Sequence, residues 1–319
     1  MRALVLGGTG HIGNAIVRRL LDRGYQVSAT GRRSYPAPNL AGLDVHYLRG
    51  DQNNPGQFDQ WIHGQDIVID AAVPYPVDLY DRCERAGWRT EMLLECARRH
   101  DVIFGFVSSF TTLKRWPSKL EEYPSQLAKR LHPYFAVKQI VEDLVMEAAN
   151  RGLRVAIVNP TMCFGPWDLH DRELCLVPRL LTGEVPGYAL HNLNVIDVRE
   201  VAAGMVTAIE KQRFGERLLF SGHNISTQML FRWICEIGGA APPTFSAPSW
   251  LAVVAGYCAE TVLGYPNGET PLKSLAPMLV YQHEWMPPCE ALQELGVEVR
   301  PLSETLEDSV KWYRSIGYC

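Results

Sequence analysis

Residues 2–13 read Arg-Ala-Leu-Val-Leu-Gly-Gly-Thr-Gly-His-Ile-Gly. A short apolar run leads into glycines at 7, 10 and 13, and an amphipathic pattern follows to Arg23, with Gly24 as its stop. Each glycine has its own physical role. Gly7 permits a tight turn, Gly10 lets backbone approach a pyrophosphate, and Gly13 lets helix and strand pack closely. Free amides at the helix N-terminus then meet phosphate charge. With a strand before and a helix after, the loop predicts dinucleotide binding, with Thr9, His11 and Ile12 among the residues that touch the cofactor.

Working outward, further apolar or β-branched runs at 26–30, 45–48, 66–70, 102–108 and 155–159 predict strands. Helical patterns at 11–23, about 78–100 and 134–151 lie between them. Strands separated by helices pair in parallel, so the expected fold is α/β, a Rossmann doubly wound sheet. Ligands of such sheets sit at the carboxyl ends of the strands. Glycines and prolines become frequent after residue 160. We expect a nucleotide-binding domain over 1–163, its sheet rejoined by about 193–222, and a smaller C-terminal substrate lobe from 164–192 and 223–319.

The second strand ends Thr30-Gly31-Arg32-Arg33. A carboxylate there would accept from the ribose 2′-hydroxyl and select NAD. Instead Arg32 and Arg33 offer guanidiniums to a 2′-phosphate, so NADP(H) is the expected cofactor. Asp51 is placed to meet the adenine amino group, Ala71 and Ala72 to pass under the adenine–ribose side, and Pro160 joins the cofactor site at the end of the sixth strand.

Tyr134 and Lys138 stand four residues apart in a helical pattern and share a face. A neighbouring ammonium stabilises the phenolate and brings a phenol of pKa about 10 toward useful proton exchange. The fifth strand ends in Ser108-Ser109, and Ser109 is the chosen donor to a substrate carbonyl, because successive strand side chains face opposite sides. A surface Tyr–Lys pair and a turn-capping serine are the bland alternatives.

The order GGTGHIG, VSSF, YFAVK, VNPTMCFGP resembles the extended short-chain dehydrogenase/reductase superfamily, the epimerase/dehydratase group, over essentially the whole chain. Residues 193–222 resemble its dihydroflavonol-4-reductase-like and hopanoid-associated epimerase-like members. The resemblance implies a Ser109–Tyr134–Lys138 triad and a homodimer joined through helices. The sequence departs from the pattern at Ala86, where an Asn is usual, at Asn159-Pro160, where Arg-Pro is usual, and in a charged insertion over 115–122.

Three functions compete. The favoured one is NADPH-dependent reduction of a small-molecule ketone or aldehyde, weakly tilted toward a hydrophobic substrate by the apolar stretch 245–285. An NAD(P)-dependent nucleotide-sugar epimerase or dehydratase is second: Phe110-Thr111 lacks the acidic pair of the dehydratases, and Gly31 lacks the Asp of cofactor-recycling epimerases. A non-catalytic NADP-binding regulatory protein is third. His132, Cys163 and the cluster Asp168, His170, Asp171 and Arg172 have substrate readings weaker than loop or packing readings.

Composition bounds the rest. Among 319 residues, 47% are hydrophobic and 21% charged, as in a globular protein. Lys plus Arg number 31 against 35 Asp plus Glu, a net charge of −4 that argues against general nucleic-acid binding. The best membrane candidate, 250–259, is far shorter than the roughly 20 residues a span requires. Glycines break the N-terminal apolar run at once, so no secretory leader is expected. Eight scattered cysteines without a CxxC pair point to no metal site and to a reducing cytoplasm.

Overall fold

The computed structural model describes residues 1–32, 37–52, 54–72, 79–113, 133–170, 172–248, 251, 286 and 288–319, with the side chains of 79–83, 133–136 and 173 outside that description. Seven parallel strands form the main sheet: β1 (Arg2–Leu6), β2 (Gln26–Gly31), β3 (Val45–Arg49), β4 (Ile67–Asp70), β5 (Ile103–Val107), β6 (Val155–Pro160) and, later in the chain, β10 (Arg217–Phe220). Their order is β10-β6-β5-β4-β1-β2-β3. The order reverses between β1 and β4, and the glycine loop leaves the sheet there, as the doubly wound topology requires.

Strand alternation sorts the apolar residues onto two cores. Ala3, Val5, Ile67 and Ile69 face Ile16, Val17 and Leu20 of α1 (His11–Asp22) and Val201, Met205 and Val206 of α6 (Val198–Glu210). Leu4, Leu6, Val68, Phe104 and Phe106 face Leu93 and Ala97 of α3 (Leu79–Arg99) and Val137, Val141 and Val145 of α4 (Pro133–Asn150). A strand buried on both faces reads as an unbroken apolar run, and each large side chain so buried contributes about 1.5–3 kcal/mol. A further short helix, α2 (Phe58–Ile62), closes the side near β3 through Phe58 and Trp61.

Two strands lie in the 193–222 stretch expected to rejoin the sheet, and of these 217–220 pairs with β6 in the main sheet. The other, β9 (Asn192–Asp197), instead lies between β7 (Met162–Phe164) and β11 (His223–Ser226) in a separate sheet. Its partners are two short segments whose period-two pattern is too brief to read locally. A third apolar cluster joins this sheet to α5 (Leu176–Leu181), α7 (Thr227–Gly238) and α9 (Leu302–Ser315). The remaining elements are β8 (Gly187–Leu190) paired with β12 (Phe245–Pro248), and α8 (Glu290–Leu295). No helix among the described residues is long and apolar enough to cross a membrane.

Candidate active site

Gly7 adopts φ +78°, which L side chains resist, and a Cβ there would come within 2.6 Å of the Ala72 Cβ. A Cβ on Gly13 would overlap the Gly7 carbonyl oxygen. The loop is pinned by Gly10 N–H donating to Gly7 O (2.9 Å) and Gly7 N–H donating to Thr30 Oγ1 (3.2 Å). The cradle is thus tight against β1, β2 and β4, and its residues fit a dinucleotide pyrophosphate at the start of α1. Ile12 turns its side chain to the core, which leaves its backbone for any such contact. Burial lowers the pKa of His11, against the pull of Asp168 and a hydrogen bond with the Gly165 backbone.

Around this loop, Ala71 N–H donates to Leu6 O (3.0 Å) and Ala72 N–H to Asp70 Oδ1 (3.1 Å), so both alanines run beside the glycines. Arg32 and Asp51 are exposed at the same edge, just past β2 and β3. Arg33 lies outside the described residues. A residue that local pattern did not mark, Tyr47 of β3, lays its hydroxyl against Gly31.

Lys138 is buried, 6% exposed, and donates from Nζ to the Val107 carbonyl at the end of β5 (3.2 Å). Burial lowers its pKa to about 8, although the charges of Asp70 and Glu142 pull the other way. Tyr134 begins the same helix one turn earlier; its side chain lies outside the description. The two serines diverge as strand alternation requires. Ser108 donates to Glu142, whereas Ser109 Oγ accepts from Thr111 N–H (3.3 Å) and Thr111 Oγ1–H (2.9 Å).

Behind Ser109 stands a polar network that sequence reasoning missed. Fully buried Glu142 receives Thr112 Oγ1 (2.6 Å), Asn159 Nδ2 (2.7 Å) and the Arg217 guanidinium. Asn159 Nδ2 also donates to the Ser109 carbonyl (3.0 Å), and the single Thr112 hydroxyl proton, whose oxygen lies 2.8 Å from that carbonyl, is shared between it and Glu142. Asn159 therefore anchors the serine turn. The one available signal was Glu142 lying four residues after Lys138, on the same helix face. A second pair, Asp70 and Arg89, joins the end of β4 to α3 with both side chains buried. Pro160 ends β6, buried.

The weaker candidates divide. Cys163 is half-buried, donates weakly to Thr161 O, and burial raises its thiol pKa, the opposite of a reactive cysteine. Asp168 accepts from Tyr313 Oη (2.7 Å) and pairs with His170; Arg172 pairs with Glu184 and Tyr318 O. Burial opposes the Asp168 charge, but the His170 hydrogen bond and the charges of His11 and His170 hold its pKa below the usual carboxylate range. These contacts fasten Asp168 to α9, and Arg172 to Glu184 and the chain just past α9. Asn39 reaches the same turn, donating to both Thr9 O (3.2 Å) and Trp167 O (2.9 Å), while the Arg18 guanidinium lies 4.4 Å over the Trp167 ring. His132, Asp171 and the insertion 115–122 lie outside the described residues. Among the described residues no His, Cys, Asp and Glu cluster could hold a metal ion.

Residues 3–219 match the model of the NAD dependent epimerase/dehydratase family. The chain is 30% identical to a putative dihydroflavonol 4-reductase of Synechocystis sp., covering 98% of this chain and 95% of that protein. It is 29% identical to sterol demethylase protein B of Methylococcus capsulatus over 79% of each. Its fold also matches a crystal structure of a nucleoside-diphosphate-sugar epimerase from Pseudomonas aeruginosa, with a TM-score of 0.78 and 25% identity over 100% of this chain and 99% of that one.

Proposed function

The chain belongs to the NAD dependent epimerase/dehydratase family, and from that premise we propose that it is an NADPH-dependent reductase of a ketone or aldehyde on a small, hydrophobic metabolite. The observation that carries the reading is the end of β2, where Gly31 replaces a carboxylate and Arg32 stands exposed beside it. An NADPH that exchanges with solvent suits net reduction better than in-place recycling. The name of the Synechocystis relative, a putative reductase, and of the Methylococcus relative, a sterol-processing protein, support the reaction class and the apolar substrate.

In this reading residues 1–163, with the stretch 193–222 that returns β10 to the sheet, hold the cofactor, and 164–192 with 223–319 shape the substrate lobe. Gly7, Thr9, Gly10, His11, Ile12 and Gly13 meet the pyrophosphate, and Arg32 and Arg33 meet the 2′-phosphate. Asp51, Ala71 and Ala72 serve the adenosine side, and Pro160 and Lys138 the nicotinamide side. When bound, the reduced nicotinamide supplies a hydride to the carbonyl carbon. Tyr134 gives its phenolic proton to the carbonyl oxygen, and the Lys138 ammonium lowers the cost of the phenolate left behind. Ser109 donates a hydrogen bond to the same oxygen and stabilises the charge that develops there. Exposed Trp88 and Met92 of α3 and Ile140 of α4 support a homodimer through these two helices, and the scattered cysteines support a cytoplasmic address.

The test is a ketone and nucleotide-sugar screen run with NADPH. Loss of 340 nm absorbance on adding a carbonyl substrate is the expected result. Interconversion of sugars with no net cofactor loss would establish the epimerase instead, a reading favoured by the full-length match to the Pseudomonas epimerase. Cofactor binding with no turnover of any substrate would leave a regulatory NADP-binding protein.

A further inference from the structure

We propose that Tyr47 is a specificity-determining residue that reads the 2′-substituent of the adenosine ribose and occupies the space a cofactor-selecting carboxylate would need. The inference rests on the NADP(H) reading above and deepens it.

Strands β2 and β3 run parallel with Ala29 opposite Tyr47 and Gly31 opposite Arg49. Tyr47 therefore starts two residues short of the ligand edge of the sheet. Two residues of strand rise about 6–7 Å, close to the length of a tyrosine side chain. The ring packs against the α1–α6 core and its hydroxyl arrives at Gly31. A Cβ at Gly31 would collide with that hydroxyl, and on its other side it would stand 3.0 Å from the Thr9 methyl group. Position 31 is thus more than a site that lacks a carboxylate. Its side-chain space is filled, from one side by a strand residue and from the other by the phosphate loop. Thr30 is fixed as well, since its hydroxyl accepts the Gly7 amide.

The chemistry of the replacement is directional. An aspartate at a strand end accepts from a ribose hydroxyl and repels a phosphate. A phenol donates to a phosphate oxygen and carries no repelling charge near neutral pH. Together with the guanidinium of Arg32 it makes this corner a set of donors, the reverse of what a free 2′-hydroxyl is selected by. The sequence could show the missing carboxylate but not the group that stands in its place, because that group comes from the neighbouring strand.

Binding calorimetry with 2′,5′-ADP and with 5′-ADP tests this without any turnover. Wild type should prefer 2′,5′-ADP. Tyr47→Phe, which keeps the ring and the packing, should weaken 2′,5′-ADP roughly tenfold, the loss of one hydrogen bond to a charged group, and leave 5′-ADP nearly unchanged. Gly31→Asp alone should bind neither nucleotide well or fail to fold, because its side chain meets the phenol. Gly31→Asp combined with Tyr47→Ala should fold and reverse the preference toward 5′-ADP. Unchanged 2′,5′-ADP affinity in Tyr47→Phe overturns the proposal while leaving NADP(H) as the cofactor. So does a Gly31→Asp single variant that folds and switches preference unaided. A wild type that binds both nucleotides equally removes the NADP(H) premise and this proposal with it.

Discussion

Asp70 and Arg89 meet as a bidentate ion pair, with distances of 2.7 and 3.0 Å and side chains only 1% and 2% exposed. Arg89 also donates to Gln52 O (3.0 Å) and Asp70 accepts the Ala72 amide, so the pair ties α3 to the stretch of chain beside the glycine loop. Taking two charges out of water is costly, and the pair repays that cost only while both members remain. Arg89→Met should therefore destabilise the fold by about 3–5 kcal/mol in urea unfolding, since it strands a buried carboxylate. Asp70→Val with Arg89→Met should lose less than Arg89→Met alone. A double variant weaker than the single would show that packing, not charge, sets the effect.

Lys138 supplies a pH signature. Its folded pKa of about 8 lies below the ordinary 10.5, so the ammonium proposed to assist Tyr134 is present below pH 8 and lost above it. The rate at saturating substrate should fall on an alkaline limb near pH 8. Lys138→Arg, which stays charged, should push that limb beyond the measurable range even if its rate is lower throughout. The stability sign is the reverse. Between the two pKa values the unfolded chain binds more protons, so wild-type stability should rise by about 3 kcal/mol across that window. Thermal melting of wild type against Lys138→Met, which has no such group, separates this rise from the other titrations.

Tyr134→Phe should lower turnover by about 10²–10⁴-fold while NADPH affinity stays near wild type. Stopped-flow turnover beside calorimetric cofactor binding checks both halves. Retained turnover would remove the proposed acid.

Arg32→Ala with Arg33→Ala should weaken NADPH by roughly tenfold to a hundredfold and leave NADH close to unchanged, because only a 2′-phosphate offers guanidiniums a charged partner. Equal losses for the two cofactors would place these arginines away from the phosphate.

Glu142→Gln keeps the size of the side chain but removes the charge opposite Arg217 and turns one acceptor into a donor facing Thr112 and Asn159. Since those two residues hold the Ser109 carbonyl, the rate at saturating substrate should fall about tenfold or more while NADPH affinity is preserved. A drop in melting temperature with an unchanged rate would assign Glu142 to stability alone.

What the sequence disclosed and what it hid divide along a physical line. Gly7, Gly10 and Gly13, the apolar strands and the Tyr134–Lys138 spacing are local patterns, each legible within a few residues. Tyr47 over Gly31, Arg89 on Asp70 and Arg217 on Glu142 join positions from different elements, and nothing in the local period of either partner marks the contact. Strand alternation separated Ser108 from Ser109 correctly, yet the partner that holds Ser108, Glu142, comes from a helix 34 residues further along the chain. The later strand at 192–197 kept its type but not its expected sheet, because β7 and β11 are too short to announce themselves.

Asn39 clasps the carbonyls of Thr9 and Trp167 at once, and its own carbonyl receives Asn14 and Arg18. The consequence concerns recombination: a chimaera that takes its catalytic front from this protein and its back from a cousin would part that clasp if the crossover fell at Pro160. Cut beyond Asp168 instead, the donor half keeps its own fastener, although α6 and β10, which complete its core and its sheet, then come from the cousin.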